Sequence, residues 1–175
     1  MEEKLKNFYE LFTRRKSVRD FSERDIDNEV LDRILEIGRR SPSAANCQPW
    51  HFILLRKKDR GDFDVLLKKN FSSAPVIIVG CAEKEKAWVR KADGMNYAWV
   101  DVTIALTEIM ASATAEGLGT CWIASFEPEK MKTVLRIPPR IEIVAAIAMG
   151  YSEEPLVRED KRRKDMKEII HYNGW

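Results

Sequence analysis

Hydrophobic positions along the chain fall into short blocks whose spacing switches between helical and extended periods. Leu5, Phe8, Leu11 and Phe12 recur at helical spacing and predict an amphipathic helix over about residues 2–13, ending at the basic cluster TRRKSVRDF. A second stripe, Val30, Leu31, Ile34, Leu35 and Ile37, predicts a helix that starts near Asp27, a good N-cap, and stops around Gly38. HFILLR (51–56) and APVIIVGCA (74–82) are short apolar runs with β-branched residues and read as strands, with a helix expected between them over DRGDFDVLLKK (59–69). From Met95 to Glu116 apolar residues occupy nearly every side, the mark of a helix buried all round, which in a domain this small suggests a partner subunit. GLGTCWIASF (117–126) ends that helix, EPEKMKTVLR (127–136) reads as a short helix, and IEIVAAIAMG (141–150) reads as a fully buried strand. The tail from Tyr151 is charged first and then ends in EIIHYNGW, whose apolar and aromatic groups argue that it docks on something.

Composition narrows the class without naming a partner. The 175 residues fit one domain, 1–175, and a domain of that size buries roughly 68–70% of its unfolded surface. Apolar residues make up 45% and charged residues 33%, so the chain is neither disordered nor fibrous. The 30 basic and 28 acidic side chains nearly cancel, which speaks against a nucleic-acid-binding module. Cys47, Cys81 and Cys121 fit neither a disulfide framework nor a metal knuckle and suit a reducing compartment. The opening MEEKLKNFYE is acidic and has no apolar leader core, and no stretch approaches the roughly 20 apolar residues of a membrane span. The expectation is a soluble, cytoplasmic protein.

Much familiar chemistry is missing. GLGT follows a helix and precedes a strand, the reverse of what phosphate cradling at a helix N-terminus requires, and a glycine C-cap accounts for it. Neither a phosphate-loop, a zinc-protease nor a nucleophile-elbow motif occurs, and His51 and His171 are the only histidines. His51, beside Trp50 at a strand start, reads as a partly buried structural residue, and no metal site is expected.

Three features remain: the cluster Arg14, Arg15, Lys16, Ser17, Arg19; the loop SPSAANCQPWHF (41–52); and the tail cations Lys161, Arg162, Arg163, Lys164. Basic clusters at both ends of an otherwise balanced chain suit an anion held between the termini, and phosphate matches the arginine fork. Taken singly, either cluster is better explained as a solvated charged face, and it is the small-residue loop that shifts the balance. In the loop, Ser43, Ala44 and Ala45 expose backbone while Asn46 offers an amide that both donates and accepts. A solvent-facing connection punctuated by Pro42 and Pro49 is the other reading.

RRKSVRDF (14–21), SPSAANCQPWHF (41–52), GLGTCWIASF (117–126) and KRRKDMKEIIHYNGW (161–175), in that order, resemble the FMN-dependent nitroreductase family. The resemblance implies an α+β nitroreductase-like sandwich, with a central mostly antiparallel sheet flanked by helices and two FMN sites at the interface of an intertwined homodimer. By motif match, Arg15, Lys16 and Ser17 would contact the phosphate and ribityl chain, with Lys161 and Arg163 completing the phosphate site. Arg19 would sit near the pyrimidine edge of the ring, where fixed positive charge stabilises the reduced state. Pro42, Ser43, Ala44 and Asn46 would reach the flavin bound mainly by the other subunit, and Ile123, Ala124 and Ser125 would run past the ring near N5. The implied reaction is ping-pong: NADH or NADPH reduces FMN, leaves, and a nitroaromatic, quinone or similar electron-poor acceptor enters.

Two positions depart from the family pattern. Ala124 stands where glycine is frequent, adding a methyl near N5, and Asp165 stands where proline is common, adding negative charge near the presumed phosphate site. Specialised flavin chemistry in the same family, such as free-flavin reduction or dehalogenation, remains an alternative, as does a non-catalytic flavin-binding protein. Cys47 reads as a small filler rather than a redox thiol.

Overall fold

The computed structural model describes residues 2–67, 69–156 and 162–175. In chain order it comprises α1 (Glu2–Arg14), α2 (Asn28–Arg40), β1 (Trp50–Arg56), α3 (Lys69–Ser72), β2 (Val76–Glu83), α4 (Ala98–Ala115), β3 (Gly119–Ile123), α5 (Pro128–Leu135) and β4 (Ile141–Gly150), with short 3-10 turns between some of them. The strands form one antiparallel sheet in the order β1-β2-β4-β3. β2 and β4 lie in the middle and are buried on both faces, which is why each is written as an almost unbroken apolar run.

Because successive strand residues face opposite sides, the sheet separates two apolar layers. Val76, Ile78, Ile147 and Met149 pack towards α2 and α4 with Leu31, Ile34, Val102, Leu106 and Ile109. Ile77, Val79, Cys81, Ile143 and Ala148 pack on the other side with Val18, Phe21, Phe63 and Met131. The register shifts between Gly80 and Cys81, and a Cβ at Gly80 would stand 2.6 Å from Leu106 Cδ1, so a glycine there lets α4 lie close to β2.

Several elements differ from the sequence expectation for identifiable reasons. Gly38 lies inside α2 instead of ending it, since a Cβ there would be 2.6 Å from Ile109 Cδ1 and Cγ1; the glycine permits close helix packing and is not a cap. The segment expected as a helix over 59–69 forms 3-10 turns at Lys57–Asp59 and Gly61–Leu66. Gly61 adopts a φ of 47°, outside the helical region, and buried Arg60 turns its guanidinium to the carbonyls of Ala74 (2.7 Å) and Ser72 (3.0 Å) and to Asp64 (2.8 Å). α4 is not covered all round by its own chain: Trp99, Thr103 and Thr107 are exposed on one side, and Trp99 Nε1 donates to Glu142 Oε2 at 2.6 Å. The tail residues Met166, Ile169, Ile170, Tyr172 and Trp175 are likewise exposed. Gly117, by contrast, caps α4 as expected, with φ at 78° and its neighbour Leu118 N–H donating to Ala113 O.

Candidate functional site

The basic cluster becomes a strip laid along the sheet edge. Arg15 N–H closes the last turn of α1 on Leu11 O, Ser17 pairs with Thr120 in a parallel bridge, and Val18 N–H donates to Thr120 O at 2.9 Å. The strip therefore runs in the same direction as β3, towards Ile123 and the exposed Ala124 and Ser125. Val18 is the inward anchor: it is buried against Gly119, where a Cβ would lie 2.6 Å from Val18 Cγ2. Arg15, Lys16 and Ser17 are half-buried on this edge and Arg19 is exposed.

The start of the tail joins the same edge. Ser22 N–H donates to Tyr151 O at 2.9 Å, Phe21 bridges Ser152, and Lys16 Nζ stands 3.5 Å from Glu154 Oε2. Lys161 lies outside the described residues. Arg163 is exposed, its Nη1 donating to Arg162 O at 3.4 Å, and no hydrogen bond among the described residues joins it to the strip. Asp165 caps a 3-10 turn at Met166–Glu168: Lys167 N–H donates to its Oδ1 at 3.0 Å, and its own N–H donates to Glu168 Oε1 at 2.7 Å.

Charge pairing divides the arginines. Arg33, Arg39, Arg40, Arg56, Arg60, Arg90 and Arg140 each meet a carboxylate. Arg15, Arg19 and Arg163 meet none among the described residues, and neither do Arg14, Arg24, Arg136 and Arg162; what distinguishes Arg15 and Arg19 is their place beside Lys16 and Ser17 on one strip. Two unpaired guanidiniums, an ammonium and the Ser17 hydroxyl on one strip form a donor set suited to a phosphate.

The small-residue loop is built quite differently. Ala45, Asn46 and Gln48 all carry positive φ, at 50°, 56° and 49°, a conformation that asparagine tolerates but that alanine and glutamine adopt rarely and at a cost their surroundings must offset. Those surroundings can be named. Asp101 Oδ1 accepts from Ala44 N–H at 3.0 Å, Ser41 Oγ donates to Glu108 Oε2 at 2.5 Å, and Gln48 N–H donates to Ser43 Oγ at 3.0 Å. Gln48 Nε2 returns to Asn46 O and Oδ1, both at 3.2 Å. Pro42 and Asn46 are exposed and Ser43 and Ala44 half-buried, so the loop presents shaped backbone at the surface. No hydrogen bond among the described residues links this loop to the cationic strip of the same chain. Asp101 and Glu108 escaped the sequence reading, which treated α4 as apolar packing; two carboxylates spaced seven apart in such a helix were the available signal.

His51 proves to be a surface partner and not a partly buried one. Its Nε2 is 3.0 Å from Glu83 Oε2, beside Lys86 at 2.8 Å and Arg140 at 3.4 Å from the same carboxylate. Hydrogen bonds from Lys86, then His51, hold the Glu83 carboxyl down to about 2. Among the described residues no cluster of histidine, cysteine and carboxylate groups could hold a metal ion, and no helix is long and apolar enough to cross a membrane.

The family model described as the Nitroreductase family matches residues 12–64 and 57–151. A protein of Archaeoglobus fulgidus, named provisionally as an NADH dehydrogenase/NAD(P)H nitroreductase, is 32% identical over 190 aligned positions spanning 100% of both chains. A nitroreductase family protein of Clostridium difficile superposes with a TM-score of 0.87 at 29% identity, covering 95% of this chain and 98% of its own. An FMN-dependent nitroreductase of the same species superposes with a TM-score of 0.75 at 26% identity, covering 94% and 98%. With its antiparallel sheet, its flanking helices and this extent of match, the chain belongs to the nitroreductase family of oxidoreductases.

Proposed function

We propose that the protein binds FMN at the interface of a homodimer and passes electrons from NADH or NADPH to a nitroaromatic, quinone or similar electron-poor acceptor. The observation that carries this reading is the strip Arg15–Arg19, whose arginines lack carboxylate partners among the described residues while the strip is held in register with β3. On this reading Arg15, Lys16 and Ser17 grip the phosphate and ribityl chain, and Lys161 and Arg163 close over the phosphate from the tail. Asp165 is occupied in capping a turn, so its charge is partly satisfied locally instead of facing the phosphate unpaired. Arg19 lies further along, where its charge stabilises a reduced, anionic ring. Backbone at Ile123, Ala124 and Ser125 borders the ring edge, with the Ala124 methyl restricting the space above it. Pro42, Ser43, Ala44 and Asn46 face the ring held mainly by the other subunit, consistent with the absence, among the described residues, of a hydrogen bond between loop and strip within one chain. When bound, FMN supplies the two-electron chemistry between nicotinamide and acceptor; the protein's groups bind, orient and set charge.

Untagged protein should be yellow, release FMN on denaturation, elute as a dimer, and oxidise NADH or NADPH when an acceptor is added. A colourless protein with no affinity for added FMN overturns the cofactor assignment. FMN-loaded protein inert towards both nicotinamides across a panel of nitroaromatics and quinones overturns the catalytic one, and an FMN-bound monomer overturns the shared site.

A further inference from the structure

Among the buried charged groups, Asp101 stands out because its surroundings leave it half used. The residue is 1% exposed, in the first turns of α4. Oδ1 accepts from Ala44 N–H at 3.0 Å, while Oδ2 is buried and has no hydrogen-bond partner among the described residues. No cation pairs with it among those residues. A buried carboxylate without a countercharge is expensive to keep, and nothing in core packing calls for one among residues of α4 whose other buried members are all apolar. Its one contact falls at the start of a segment whose next residues, Ala45 and Asn46, sit in the left-handed region. Ala44 begins the 3-10 turn Ala44–Asn46, so its N–H has no acceptor within that turn, and Asp101 supplies one. Two turns further along the same helix face, Glu108 holds the other end of the connection through Ser41.

We propose that Asp101 is a positioning residue for the cofactor site: by anchoring Ala44 N–H it holds Ser43–Asn46 in a turn, left-handed at Ala45 and Asn46, that fits FMN, before any ligand arrives. This rests on the reading that the Pro42–Asn46 backbone borders FMN. Losing the carboxylate frees Ala45 and Asn46 to relax towards ordinary backbone, and the loop then has to be reordered at the cost of binding. Asparagine at this position keeps an oxygen for Ala44 N–H; alanine does not.

The test compares wild type, Asp101→Asn and Asp101→Ala by FMN titration (flavin fluorescence), by KM against kcat, and by amide exchange of the Ser43–Gln48 peptides without FMN. Expected are a loss of FMN affinity of about tenfold or more in Asp101→Ala, from one lost hydrogen bond to a charged group, and near-wild-type affinity in Asp101→Asn. Exchange over Ser43–Gln48 should be slow in wild type and Asp101→Asn and fast in Asp101→Ala. A purely structural residue would lower the melting temperature of Asp101→Ala while leaving the affinity of the folded protein unchanged, and that result overturns the proposal. Equal losses in the asparagine and alanine variants also overturn it, because they point to charge and not to the anchor. Should the alanine variant fail to fold, wild type alone decides: fast exchange of the loop in FMN-free protein, slowing only on FMN addition, refutes pre-shaping. A wild type that binds no FMN at all refutes the cofactor reading instead, and loop exchange in its FMN-free form still reports on the anchor.

Discussion

Gly119→Ala tests whether the cationic strip is held by shape. An alanine Cβ at position 119 would lie 2.6 Å from Val18 Cγ2, 2.9 Å from Val18 Cβ and 3.1 Å from Val18 Cγ1. Carbon atoms settle at about 3.5–4.0 Å, so Val18 must retreat by roughly an ångström. Rotation cannot relieve this, because a valine is stiff at χ1 and its own Cβ is among the clashing atoms. The strip itself has to move, straining the Val18 N–H bond to Thr120 O at 2.9 Å. Overpacking that the backbone itself must absorb falls in the upper part of the usual range, at about 2–3 kcal/mol, and replacing a strand glycine returns about 0.5–1 kcal/mol of backbone entropy, leaving a net loss of about 1–2.5 kcal/mol. For a chain of this length that lowers the melting temperature by about 2–10 °C. Thermal unfolding of Gly119→Ala, Val18→Ala and the double variant forms the assay. The double variant should be more stable than the sum of the single losses by about 1 kcal/mol, since Val18→Ala removes two of the three clashing atoms. Because Arg15, Lys16 and Arg19 ride on the same strip, FMN affinity should fall in Gly119→Ala as well. A Gly119→Ala protein as stable as wild type, or strictly additive losses, would show that Val18 does not hold the strip.

Other expectations bear on charge. Arg15→Ala and Arg163→Ala should each weaken FMN binding by about 1.5–3 kcal/mol, read as loss of bound yellow colour with the fold retained by circular dichroism; full retention of FMN in both removes the phosphate assignment. Arg19→Ala should lower the flavin midpoint potential more than it lowers affinity, and an unchanged potential would place the controlling charge elsewhere. Glu83 titrates at about 2 in the folded protein against 4.5 ordinarily, because Lys86, His51 and Arg140 favour its charged form. A depressed carboxyl contributes stability that is complete above the ordinary value and is lost as pH falls from about 4.5 towards 2, so melting temperature should drop through that window. Glu83→Gln should flatten part of that drop, and an identical pH profile would show the cluster to be energetically silent.

The elements that local pattern predicted well are those whose cause is local or symmetric. β4 was legible over its full length because a central strand buried on both faces is apolar nearly throughout, and Ile141–Gly150 is, apart from the half-buried Glu142 at its start, which meets Trp99 and Lys84. Gly117 was legible because a left-handed C-cap is a property of the residue itself. Gly38 was misread because its reason is Ile109, far along the chain and across a helix pair. The expected helix at 59–69 gave way for a similar cause: Arg60 reaches carbonyls beyond the segment, which no local periodicity encodes. For the candidate site, resemblance picked out the strip and the loop, yet it said nothing of how either is held. The supports, Val18 against Gly119 and Asp101 under Ala44, are contacts between distant parts of the sequence.

Those two supports also bear on why a second copy is proposed. The strip hangs on β3 at one edge of the sheet, while the loop hangs on α4 and leads into β1 at the other edge. Each is rigidly held, so neither can swing across the sheet to meet the other around one ligand without breaking its own anchors. The same chain leaves large apolar groups in water: Leu5, Phe8, Tyr9 and Phe12 on α1, Trp99 on α4, and Ile169, Tyr172 and Trp175 in the tail. Scattered exposed apolar residues need no explanation, but Phe8 stacks edge-on with both Tyr9 and Phe12, so the α1 group forms a continuous aromatic patch. The proposed two-fold pairing of identical chains would answer both facts together, since a self-complementary contact covering these surfaces would carry each loop to the neighbour's strip and create two equivalent sites at once. In such a dimer, rigidity within each chain would be the condition for binding between chains, because two preformed half-sites would meet a flat ligand with little left to order.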